Sequence, residues 1–214
     1  AVGTNSLGSI TSSNGNTAVG SFSGQVLTGG VRNTLLGYST LGAADGDEDY
    51  NVCIGYAAGS SINADTADNN VLIGFEAGVG GGAAMISCVA IGASAMNSTA
   101  ANAQTGTVAI GQDALTLLTS GSGNTAVGYQ ALLEHTTGAR NIAIGYGAMD
   151  GTAANDCPTS TDNIFIGYDA GGGTWTTNDS NNNVGIGNYV MSAVLNGAQF
   201  NTAVGRGALL DLTT

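Results

Sequence analysis

Gly15-Asn16-Thr17-Ala18-Val19-Gly20 returns unchanged as Gly123-Asn124-Thr125-Ala126-Val127-Gly128, and the core of this hexapeptide recurs along the whole chain. Written as Asn, then Thr/Val/Ile, a small residue, Val/Ile and Gly, the pattern begins at Asn16, Asn33, Asn51, Asn70, Asn124, Asn141, Asn163, Asn183 and Asn201. Cys88 and Thr107 stand in the first position of two further copies. The closing glycines are Gly20, Gly37, Gly55, Gly74, Gly92, Gly111, Gly128, Gly145, Gly167, Gly187 and Gly205, with successive spacings of 17 to 22 residues. Ala1-Val2-Gly3 is the tail of a twelfth copy, so the expectation is a segment of a longer fibre.

A fixed period of this length signifies stacked units, because one short unit cannot bury its apolar face alone. Helical repeats need about twice the length. Each motif is instead a short β-branched run closed by Gly, which reads as a strand. With one proline, 36 glycines and no helical periodicity, the chain is expected to be all-β. The predicted architecture is a parallel β-solenoid of about twelve rungs, forming one repeat domain over residues 1–214.

Strand alternation places the second and fourth motif positions on one face and the first, third and fifth on the other. The fourth-position ladder, Val19, Leu36, Ile54, Ile73, Ile91, Ile110, Val127, Ile144, Ile166, Ile186 and Val204, is expected to be the core. The third position is mostly alanine, and with the closing glycines it suggests a face that another backbone approaches closely. The first-position asparagines should stack at about 4.8 Å and hydrogen-bond along a ladder. Tyr38, Tyr56, Phe75, Tyr129, Tyr146 and Tyr168 follow closing glycines, forming a row that packs a corner or lies between chains. A rung this short gives a thin core, for which side-by-side association of chains is the natural remedy.

The net charge of −12, with only three basic residues, argues against binding nucleic acid or inserting at an anionic membrane, since both require basic patches. Residues 79–96 are uncharged, but they contain four glycines and a complete motif from Cys88 to Gly92, so a membrane span is not expected.

The motifs Asn124 to Leu132 (N-T-A-V-G-Y-Q-A-L), Asn141 to Met149 and Asn201 to Leu209 resemble the repeats of trimeric autotransporter adhesin heads of the YadA-like type. They resemble still more closely repeats of phage tail fibres and other virus surface fibres. That resemblance covers nearly the whole chain. It implies a left-handed parallel β-roll assembling as a homotrimer, side by side or intertwined, outside the cell on a virion or bacterial surface. The implied role is attachment to a host-surface receptor or glycan. The rungs here are longer and less even than those of adhesin heads.

The extra residues of the longer rungs fall in connections such as Gly42 to Tyr50, Asp150 to Asp162 and Gly172 to Asn182, where recognition would reside on a rigid stack. Trp175, the only tryptophan, is the candidate receptor contact, with burial against a neighbouring chain as the alternative. His135, the only histidine, is expected to be exposed and inert, and no catalytic triad or His-based metal cluster is recognisable. The chain is therefore not expected to be an enzyme or to require a cofactor. The run Asp45, Asp47, Asp49 offers oxygen ligands for calcium but lacks EF-hand spacing. Cys53 and Cys88 sit two rungs apart, about 9.6 Å, which is beyond the roughly 7 Å reach of a disulfide. Cys157 is expected to be free. Two other functions remain open: an ice-binding solenoid, disfavoured by threonine at the second position in only four rungs, and a carbohydrate-active β-solenoid enzyme. The latter would use clustered carboxylates, for which Glu76, Asp113 and Asp169 share one offset.

Overall fold

The computed structural model describes residues 1–99, 103–152, 159–175, 178–193 and 195–210. Cys157 and Pro158 lie outside the described residues. The chain forms two compact units, 1–107 and 108–214. Each is a parallel β-solenoid, and the described residues contain no helix.

In the first unit the motifs form β1 (Thr17–Val19), β2 (Thr34–Leu36), β3 (Val52–Ile54), β4 (Val71–Ile73) and β6 (Val89–Ile91). These pair in parallel in that order, while β5 (Met85–Ile86) pairs with β7 (Gln104–Thr105) as a small second sheet. In the second unit β8 (Val108–Ile110), β9 (Thr125–Val127), β10 (Ile142–Ile144), β11 (Ile164–Ile166), β12 (Val184–Ile186) and β13 (Thr202–Val204) pair in chain order. Motif position meets like position throughout: Ala18 faces Leu35, and Ala143 faces Phe165.

The inward face is the reverse of the one expected. In every motif strand the middle residue is buried and its neighbours are not. The third-position row, including Ala18, Leu35, Cys53, Leu72, Ala90, Ala109, Ala126, Ala143 and Phe165, is the core, whereas Val19, Leu36, Ile110, Ile144, Ile186 and Val204 are exposed. The physical reason is width. Opposite each strand, the corner after the closing glycine sends its own side chains inward, among them Met96, Leu115, Leu132, Met149 and Met191. Little room then remains for the strand's residue, and alanine suits it. Valine and isoleucine occupy the outward positions because β-branched residues favour strands whether or not they are buried.

Core volume is shared between the two sources. Rungs with Ala90, Ala109, Ala126 and Ala143 in the strand carry Met96, Leu115, Leu132 and Met149 at the corner. Rungs with the larger Cys53, Leu72 and Phe165 carry Gly59, Gly78 and Gly171 there instead, while Leu35 and Leu41 are both buried because Leu35 lies over Gly24 of the preceding rung, where an added Cβ would stand 2.9 Å from Leu35 Cδ1. A Cβ at Gly171 would stand 2.8 Å from Phe165 Cδ1, and one at Gly185, in the next strand, 2.6 Å from the same atom. Close packing explains the exchange, since the interior has no spare volume.

The corner residues adopt left-handed backbone conformations, as at Gln130 (φ 56°), Leu132 (φ 53°) and Arg140 (φ 57°). That conformation costs a non-glycine residue roughly 1–2 kcal/mol. Burying the Leu132 side chain returns about 1.5–3 kcal/mol, so the leucine remains favourable there. The closing glycine has no such compensation. At Gly128 (φ 141°) and Gly145 (φ 142°) an added Cβ would collide with the carbonyl oxygen of the glycine one rung on, so both the backbone angle and the close approach exclude a side chain.

The asparagines bind along the stack, but mainly to backbone. Asn16 Oδ1 accepts the Asn33 N–H at 2.7 Å, Asn33 Oδ1 that of Asn51 at 2.8 Å, and Asn51 Oδ1 that of Asn70 at 3.0 Å. In the second unit Asn124, Asn141, Asn163 and Asn183 do the same for the next asparagine at 2.9–3.1 Å. Each Nδ2 reaches sideways to a connection, as from Asn51 to Ala67 O and from Asn163 to Ser180 O, both at 2.8 Å. The ladder therefore fixes both the rise of the strands and the seating of the connections.

Phe165→Ala should destabilise the second unit by about 3–5 kcal/mol, as expected for emptying a buried aromatic site. Gly171→Leu alone should also destabilise it, by collision with the ring. The double variant recreates the pairing of Ala126 with Leu132 and should recover at least about 1 kcal/mol of coupling in denaturant unfolding.

Candidate functional site

The outward sheet face is the most extensive candidate surface in each unit. In the first it presents Thr17 and Thr34 beside Val19 and Leu36, and in the second Ile142 and Val184 beside Ile144 and Ile186. Next to it run the aromatic residues that follow the closing glycines. Tyr38, Tyr56 and Phe75 stack with ring centroids 5.3 Å apart and interplanar angles of 7° and 10°, and Phe22 caps the row edge-on. In the second unit Tyr129, Tyr146 and Tyr168 stack at 4.9 and 5.3 Å, with Tyr189 edge-on at 5.2 Å. Tyr56, Phe75 and Tyr146 each keep half or more of their surface exposed. A rung spacing near 5 Å makes ring stacking automatic once the same offset carries an aromatic residue.

Trp175 has no outward surface. It is fully buried, donates its indole N–H to Gly171 O at 2.8 Å and meets Phe165 edge-on at 5.8 Å. It thus fills space within its own chain and is not a receptor contact. Its connection reads as a polar loop because the backbone bridge between Trp175 and Leu195, which turns the side chain inward, is set by the next rung and not by local sequence.

His135 is likewise buried, contrary to the expected exposure. It stands seven residues after Gly128, the offset at which Leu27, Ile62 and Leu118 enter the core. Its Nδ1 lies 3.2 Å from Thr152 Oγ1, and its Nε2 lies 3.2 Å from Asn141 Nδ2. An amide nitrogen can only donate, so Nε2 is the acceptor and Nδ1 carries the proton toward Thr152. Burial lowers the pKa from 6.5 to about 4, outweighing a backbone hydrogen bond with Gly138 that favours the charged form.

The acidic connection is arranged differently from the run of aspartates that first suggests it. Asp49 Oδ1 accepts the Val31 N–H at 2.6 Å, and Asp68 Oδ1 accepts the Asp49 N–H at 2.8 Å, so these carboxylates tie neighbouring rungs together. Asp45 lies instead with Glu48 and Asp65, each placing one carboxylate oxygen within 4.8 Å of the others. Glu48 is fully buried while Asp45 and Asp65 are exposed. Glu48 Oε2 accepts from the Gly46 N–H at 3.2 Å, but Oε1 has no partner. Burial, augmented by Asp65 and Asp45, pushes the Glu48 carboxyl above its usual value.

A second carboxylate neighbourhood involves Asp150, whose pKa rises to about 6 through burial and the proximity of Asp169 and Glu134. Of the acids sharing the post-glycine offset, Asp169 belongs to it, and neither Glu76 nor Asp113 is among the charges that act on Asp150. Cys53 and Cys88 are buried free thiols, and burial raises Cys53 to about 12, so it is inert as a nucleophile. Among the described residues the one ion pair is Arg140 with Asp162, bidentate and exposed at 2.6 and 2.8 Å. No helix among them is long and apolar enough to cross a membrane.

Compared with protein-family models, curated proteins and solved structures, the chain matches none.

Because His135 is neutral when folded and protonated near pH 6.5 when unfolded, its contribution is constant above pH 6.5 and is lost as pH falls from there toward 4. His135→Leu removes this loss. Relative to its own value at pH 7, the variant should gain up to about 3 kcal/mol over the wild type by pH 4, measured by denaturant unfolding at each pH.

Proposed function

We propose that this chain is a non-enzymatic structural segment of an extracellular attachment fibre, a virion tail fibre or the head of a trimeric surface adhesin. In this reading it contributes about twelve rungs of a left-handed β-roll. It functions as a homotrimer whose chains meet through the outward strand face and the aromatic row. One observation carries the reading: the third-position row is the core, so the valines, isoleucines and tyrosines are left in regular outward rows that are exposed or half-buried. Contiguous exposed apolar surface of this kind is characteristic of a protein–protein interface. Trimer axes are satisfied by repeating rows, because each rung can present the same residues to its counterpart at every level.

Recognition of a host-surface receptor or glycan falls, in this reading, to the long connections, which vary while the rungs do not. Gly42 to Tyr50 and Gly172 to Asn182 are the connections of interest, with the latter acting without Trp175. The low content of basic residues supports a partner other than nucleic acid.

A second reading, an ice-binding solenoid, gains from the same observation. Thr17, Thr34, Thr125 and Thr202 face outward beside valine and leucine on a parallel sheet, where threonines on the inward face would have been useless for that purpose. The attachment reading is preferred because most second positions are valine or isoleucine and the stacked tyrosines flank the face.

Light scattering should return a mass three times the 20.9 kDa of one chain. The paired substitution Val127→Asp with Ile144→Asp, on the outward face, should yield folded monomers with an unchanged circular dichroism spectrum. A folded wild-type monomer that depresses the freezing point without changing the melting point would favour the second reading. A folded monomer without that activity would remove both.

A further inference from the structure

We propose that Asp45, Glu48 and Asp65 form a binding site for one hard divalent cation, of the calcium class, which fastens two successive connections of the first unit. The inference is independent of the attachment function.

The site is built across rungs. Asp45 and Glu48 belong to the connection between β2 and β3, and Asp65 to the connection between β3 and β4. One carboxylate oxygen from each lies within 4.8 Å of the others. Oxygens bound to one calcium ion at 2.3–2.6 Å can stand up to about 5 Å apart, so all three fit a single coordination sphere. Three anions in so small a volume repel one another, and Glu48 is shielded from bulk solvent.

The second observation is the unpartnered oxygen. Glu48 is fully buried, and Oε1 lacks any hydrogen-bond partner. A buried carboxylate without a partner is costly unless it is neutralised or coordinates a cation. The charges acting on Glu48 are Asp65 and Asp45, both negative. A cation is thus the one partner that answers the burial of Glu48 and the crowding of its neighbours at once.

The surrounding backbone holds the carboxylates in place. A Cβ at Gly46 would collide with Asp65 Oδ1, so this glycine admits the aspartate of the next connection. The Gly46 carbonyl accepts the N–H groups of Gly29 and Gly30, each at 3.1 Å, and the Asp45 carbonyl accepts from Thr28 Oγ1 at 2.7 Å. These three bonds pin the loop from the side of the preceding connection. All-oxygen ligands select calcium or magnesium over zinc or copper, and the two exposed carboxylates leave space for water in the remaining positions. Magnesium demands a tighter octahedron and should bind less well.

The experiment uses the whole chain after treatment with a chelator. Calorimetric titration with CaCl2 should show one ion per chain with Kd of about 10⁻³ M or tighter, as in calcium sites of modest charge, and magnesium at least tenfold weaker. Thermal unfolding should shift upward in calcium relative to chelator, since a ligand that binds only the folded state stabilises it. Glu48→Gln places a neutral amide in the buried position and should abolish the calcium-dependent shift. Asp65→Asn alters an exposed residue, so it should fold normally and weaken calcium binding at least tenfold. No saturable binding up to about 10 mM calcium would overturn the proposal, because sites weaker than this lie outside the usual range. Binding of equal strength in wild type and Asp65→Asn would overturn it as well. So would a Glu48→Gln variant that keeps the full calcium-dependent shift.

Discussion

Each rung admits one side chain from its strand into the interior, and the rest of the structure follows from that narrowness. Where the corner contributes leucine or methionine, alanine is the commonest strand residue, and where the strand supplies phenylalanine the corner is glycine. The β-branched residues are then displaced to the outside. An unusual surface results, in which the sheet displays its most apolar residues and buries its smallest. A lone chain with this arrangement gains less from hydrophobic burial than its composition suggests, and much of the remaining gain would come only from covering the outer face.

Hydrogen bonding compensates for the thin core. Buried asparagines satisfy the backbone of the next rung and the carbonyls of the adjacent connection together, so an asparagine substitution would orphan groups in two places. The gap in the row is informative. Where Cys88 and Thr107 replace asparagine, Thr107 Oγ1 and both polar atoms of the Gln104 side chain are buried without partners. The first unit is therefore least well satisfied in its last rungs, and local opening should begin there more readily than in the uninterrupted row from Asn16 to Asn70.

The repeat made the strands, their parallel pairing and the asparagine row legible in the sequence, because each depends on a spacing that recurs. The orientation of the strands was not legible. A period of two separates two faces without indicating which is inside, and the preference of valine and isoleucine for strands mimics a preference for burial. His135 could have been placed by its offset from Gly128, which it shares with the core residues Leu27, Ile62 and Leu118. Trp175 lay in a connection whose length departs from the minimal rung, so no such offset was available. The acidic cluster proposed to bind a cation was half visible: Asp45 was marked by the local acidic run, whereas Asp65 is twenty residues away and adjoins it only because the chain completes a rung in between.

The sharing of volume between strand and corner has a consequence for how such a chain can change over generations. A single enlarged strand residue collides with its corner, and a single reduced one leaves a void, so point changes in the interior are selected against individually. A whole rung carries its compensation with it. Because like position meets like position at every step of the stack, duplicating or deleting one complete unit preserves the asparagine row, the glycine contacts and the outward rows together. Recombination between near-identical copies, such as those around Gly15 and Gly123, would therefore lengthen or shorten the stack more easily than mutation could redesign any one of its layers.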